Sequence, residues 1–171
     1  RVSKLAALIS EAIGGNAAHA ERAGKLAKSD LVSEMVLEFT DLQGTMGYYY
    51  ALHDGESKEV AVALSEQYKP KGAGDTLPVE ATGQALSIAE KVDSLVGLFG
   101  INQPPTGTKD PFALRRAAFG VLRIIVEKQL NLDLSDLISW SIDQYGDGIL
   151  ENKNVEQELI NYMLDRFRAW Y

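Results

Sequence analysis

The sequence predicts an all-α helical bundle, and three observations carry that prediction. Apolar residues recur three and four apart in nearly every segment, the spacing that lines one face of a helix. Capping residues, glycines and prolines interrupt these runs at intervals suited to short helices. No stretch alternates apolar and polar residues for long enough to read as a strand.

The elements follow in order. Leu5, Leu8, Ile9 and Ile13 form a first stripe that stops at Gly14-Gly15. Asn16 can cap a second helix through Lys28, and Asp30 starts a third carrying Leu31, Met35, Leu37 and Phe39. Thr40 and Gln43 have the spacing of a capping box, opening a helix to about His53. Gly44 and Gly47 are three apart on that helix, which predicts close packing against a neighbour. The consecutive Tyr48, Tyr49 and Tyr50 fan around the helix, so they read as core or half-buried packing, not one stacking platform. Val60, Val62, Leu64 and Tyr68 continue after Gly55, up to a break over Pro70–Pro78. A long helix then holds Leu86, Ile88, Ala89, Val92, Leu95, Val96 and Phe99. Leu132–Trp140 and Val155–Trp170 complete the set, joined by a polar loop at 145–154. The expected division is a domain over 1–131 and a helical extension over 132–171 leading toward a further module.

Composition sets bounds. With 171 residues, 46% of them hydrophobic, the chain can build a full core. It has no cysteine, which excludes disulfides and thiolate metal sites and suits a reducing, cytoplasmic setting. No apolar run approaches a membrane span. A net charge of -7 excludes a general coat of positive charge. Nucleic acid can still be held by a local patch, because phosphate contacts depend on nearby charge.

That patch falls between Pro105 and Ile125. Asp110 is placed to cap a helix with Pro111 at its first position, and Phe112, Ala113, Phe119, Leu122, Ile125 and Val126 fit a buried stripe. From Lys109 to Arg123 the only acid is Asp110, so Lys109, Arg115, Arg116 and Arg123 make a cationic ridge. Lys69 and Lys71 add charge from the other Gly/Pro-rich loop. Arginine suits phosphate because its planar fork donates two hydrogen bonds at once.

The run Lys109-Asp-Pro-Phe-Ala-Leu-Arg-Arg-Ala-Ala118 closely resembles the β subunit family of bacterial two-subunit glycyl-tRNA synthetases. Ala23-Gly-Lys-Leu-Ala-Lys-Ser-Asp-Leu31, Leu42-Gln-Gly-Thr-Met-Gly47, Ala73-Gly-Asp-Thr-Leu-Pro78, Asp93-Ser-Leu-Val-Gly-Leu-Phe-Gly100 and Arg166-Phe-Arg-Ala-Trp-Tyr171 agree in order. Members of that family are several times longer. The absence of an initiator Met and a last residue inside a helical pattern lead us to expect a middle portion of such a subunit. The resemblance implies glycine tRNA and a separate α subunit as partners, with ATP and magnesium belonging to that α subunit and no cofactor in this portion. It implies that the six basic residues contact tRNA phosphates, positioning the RNA without reading bases.

A second resemblance lies at Tyr49-Tyr-Ala-Leu-His-Asp54, which is similar to the signature of the HD superfamily of all-α, metal-dependent phosphohydrolases. It implies an HD-domain-like bundle, with His19, His53, Asp54 and Glu90 as candidate divalent-metal ligands. Glu90 stands where that family has Asp, although Asp93 lies one turn further on. Glu66-Gln67 stands where two-metal members have a histidine pair, so the cluster reads as vestigial. Two rivals to tRNA docking follow: a residual metal phosphohydrolase, and a structural spacer with apolar surface near Trp170.

Overall fold

A computed structural model describes all of residues 1–171. The all-α prediction holds: nine α-helices and two short 3-10 turns, with no strand. In chain order the helices are α1 (Val2–Ala12), α2 (Ala17–Leu26), α3 (Glu34–Glu38), α4 (Thr45–His53), α5 (Lys58–Glu66), α6 (Ala81–Gly100), α7 (Leu114–Glu127), α8 (Leu134–Asp143) and α9 (Val155–Trp170).

The axis of the molecule is α6. It packs against α1, α2, α5, α7, α8 and α9. A helix surrounded in this way must be apolar on most of its circumference. All seven predicted core residues of α6, from Leu86 to Phe99, are buried. Leu137, Ile138, Leu159 and Met163 of the last two helices join the same hydrophobic cluster as Leu5 and Ile9 of the first. The segments on either side of residue 131 thus share one core.

Local expectations failed where distant groups compete for a helix end. Thr40 and Gln43 form no capping box; Thr40–Leu42 is a 3-10 turn, and α4 starts only at Thr45, after Gly44 at φ +84°. Its first amides are held instead by Asp30, whose Oδ2 accepts from Gly44 N at 2.7 Å and Gly47 N at 3.0 Å. Asp30 therefore does not open a helix of its own. Ser33 caps the short α3. A Cβ at Gly47 would lie 3.2 Å from Asp30 Oδ2, so the close approach predicted for this glycine is to a carboxylate as well as to Leu64. Tyr48 is half-buried, but Tyr49 and Tyr50 are exposed, contrary to the packing expected of them.

The basic helix also starts later than expected. Pro111 and Phe112 lie in a turn, Ala113 adopts φ +54°, and α7 begins at Leu114. Asp110 still caps it, accepting from Leu114 N at 2.8 Å and Arg115 N at 3.0 Å. The shift changes the buried stripe: Leu114, Ala118, Val121 and Leu122 face the core, while Phe112 is 54% exposed.

Candidate functional site

The largest consequence of this arrangement is what the α7 arginines do. Arg123 is mostly buried and donates from Nη1 to the carbonyls of Ala73 and Asp75, both at 3.1 Å, while its Nε pairs with Glu127 at 2.6 Å. Arg115 donates to the carbonyl of Gly107 at 2.6 Å. Each arginine thus holds a loop: Arg123 the 70–76 segment, Arg115 the turn in which Thr106 and Lys109 exchange backbone hydrogen bonds. The ridge of sequence is in part a pair of buckles.

Arg116 differs. It is exposed, and its Nη1 donates to the carbonyl of Lys71 at 3.2 Å, which draws the loop and helix cations together. Both line a cleft of about 400 Å³ between the 67–71 segment, α6 and the start of α7. Lys28, Lys91, Tyr68 and Phe112 line it as well. Of the six predicted RNA contacts, then, Lys71 and Arg116 meet in one concavity; Lys69, Lys109, Arg115 and Arg123 do not line it.

Lys28 and Lys91 were not singled out by sequence. Lys28 Nζ sits 3.0 Å from Glu90 and 5.0 Å from the centre of the Tyr68 ring, so its charge is partly neutralised in place. Lys91 Nζ reaches back to Ser87 Oγ at 2.7 Å and to the carbonyl of Lys69 at 3.1 Å. Burial pushes its pKa down to about 8. Gly120 makes room for it, since a Cβ there would come within 2.9 Å of Lys91 Cε. A legible signal did exist: Lys91 is the one cation within the apolar run from Leu86 to Val96.

Other polar side chains line the cleft, Glu90, Ser94 and Gln67 among them. Gln67 is 2% exposed; its Nε2 donates to the carbonyls of Ala27 and Leu64, and its Oε1 has no partner. Two carbonyls around Nε2 fix the orientation of the amide and leave Oε1 buried and unpaired.

The four candidate metal ligands do not assemble. Glu90 is committed to Lys28, His53 and Asp54 are exposed at the end of α4, and His19 is on α2, where its backbone amide is capped by Asn16. Asp93, the alternative, pairs with Arg1 at 2.9 Å. No group of three or more His, Asp or Glu side chains is arranged to hold a metal ion, so the donors present do not fit a divalent metal. The sequence departures already made the cluster read as vestigial, and the tertiary partners Lys28 and Arg1 further engage Glu90 and Asp93. No helix is long and apolar enough to cross a membrane.

The family model described as "Glycyl-tRNA synthetase beta subunit" matches residues 1–171. Curated relatives named "Glycine--tRNA ligase beta subunit" cover the whole chain: 58% identical in Hahella chejuensis, 60% in Marinobacter nauticus and 59% in Shigella boydii serotype 4. The chain spans about a quarter of their length, 24%, 24% and 25% respectively.

Proposed function

The chain belongs to the glycyl-tRNA synthetase β-subunit family, and from that premise we propose that it is a non-catalytic helical module that docks glycine tRNA. In this reading the module positions the tRNA for aminoacylation by a separate α subunit, which carries the ATP and magnesium chemistry, in the cytoplasm. The observation that carries the reading is the convergence of Lys71 and Arg116 on one open cleft, in a chain whose net charge is -7. Neither the Lys71 ammonium nor the Arg116 guanidinium is in an ion pair, and the one carboxylate lining the cleft, Glu90, is paired with Lys28. On so acidic a molecule, this is where a polyanion is favoured. Contacts of this kind fix register and orientation, not sequence. The further suggestion that the bundle descends from the HD fold rests on sequence resemblance alone.

Fluorescence anisotropy of labelled glycine tRNA, titrated with the chain at low and moderate salt, tests the proposal. Affinity is expected to fall steeply with salt, and Lys71→Glu/Arg116→Glu is expected to weaken it at least tenfold, for all tRNA sequences alike. Absence of binding at every salt concentration, or binding that ignores the double substitution, would overturn it.

A further inference from the structure

The cleft has a more specific chemistry than a basic patch. The amides of Leu114 and Arg115 at the start of α7 are already taken by Asp110, which leaves side chains as the main donors for an anion here. Arg115 and Arg123 are bound to loop carbonyls, Lys91 to Lys69 and Ser87, and Lys28 to Glu90. Of the cations that line the cleft, Lys71 and Arg116 are what remain. Arg116 gives one N–H to the Lys71 carbonyl, and a guanidinium has four others.

Beside these two cations Phe112 lines the same cleft with 54% of its surface exposed. It stands on a turn between Asp110 and Ala113, clear of the buried stripe of α7. An aromatic face next to a phosphate-binding pair matches a nucleotide whose base is free to stack. Bases inside an A-form helix are stacked on each other and offer no such face. The cleft, at about 400 Å³, falls in the size range of small-ligand sites.

We propose that this cleft receives one unpaired nucleotide of bound RNA, with its phosphate between Lys71 and Arg116 and its base against Phe112. The proposal rests on the tRNA-docking reading and adds to it the state of the RNA that is recognised. A duplex lying across the same surface would use the two cations and leave Phe112 idle.

The test is competition. The chain is loaded with labelled glycine tRNA and challenged with a single-stranded RNA decamer or with a blunt RNA duplex of the same length. The decamer is expected to displace the tRNA at concentrations at least tenfold below those the duplex needs. Phe112→Ala is expected to weaken decamer binding about tenfold, and Phe112→Tyr to restore it. Thermal melting of both variants controls for folding, which an exposed side chain should leave unchanged. Equal competition by the duplex, or an unaltered affinity in Phe112→Ala, would overturn the unpaired-nucleotide proposal while leaving tRNA docking intact. Failure of the tRNA itself to bind would instead remove the docking reading, and this inference with it.

Discussion

Lys91 on α6 holds the backbone carbonyl of Lys69 at 3.1 Å, tying the central helix to the residue that precedes Pro70. The end of its methylene stem lies against Gly120 of α7, and the ammonium also donates to Ser87. It links the core helix to the loop that presents Lys71, at the cost of placing a charge in a poorly hydrated position.

That cost should be visible as a pH dependence. The folded pKa of Lys91 is lowered from 10.5 to about 8, so between these values the folded protein sheds a proton that the unfolded chain keeps. Stability is therefore expected to rise as pH increases from about 8 to 10.5, by up to about 3 kcal/mol from this group. Urea unfolding of the wild type and Lys91→Met across that range checks it. The slope should be smaller in the variant; identical slopes would contradict the assignment.

Arg123→Ala should free the 70–76 loop. Three carbonyl contacts and the Glu127 pair are lost, but all lie at the rim of the core. The expected destabilisation is about 1–2 kcal/mol. Hydrogen exchange should accelerate over residues 71–76 while α6 stays protected. Arg123→Lys should not rescue it, because one ammonium cannot hold both the loop carbonyls, contacted by Nη1, and the Glu127 carboxylate, contacted by Nε and Nη2.

Asp30→Ala should destabilise α4 by about 2–3 kcal/mol, since it strands the amides of Gly44 and Gly47 in a buried setting. Asp30→Asn keeps an acceptor oxygen and should recover about half of the loss. Chemical denaturation of both variants decides this, and equal losses would show that charge, not the acceptor, is what matters.

Asp110→Ala removes the cap of α7 and should cost about 1 kcal/mol in global unfolding. Because Asp110 also fixes the turn that carries Phe112, RNA affinity should drop more than stability does. Asp110→Ser should restore stability in part. Anisotropy and thermal melting on the same samples separate the two effects.

The fold class was legible in the sequence because helix periodicity is local: residues three and four apart share a face whatever lies opposite. The core of α6 was legible for the same reason, as were the limits of α9 at Val155 and Trp170. Helix starts were less so. Thr40 had the right spacing to cap α4, yet Asp30, fourteen residues before Gly44, took that place. The site was half legible. Lys71 and Arg116 were among the predicted contacts, but so were Arg115 and Arg123, which fasten loops.

Sequence by itself determined that this chain is helical, that α6 is buried, and that cations gather before and within α7. Tertiary structure alone decided which of those cations are free. A side chain's charge is a property of its residue type, but its availability depends on which carbonyls and carboxylates the fold brings within about 3 Å. Those partners lie up to 51 residues away for Arg123 and 62 for Lys28 and Glu90, distances over which no local pattern carries information.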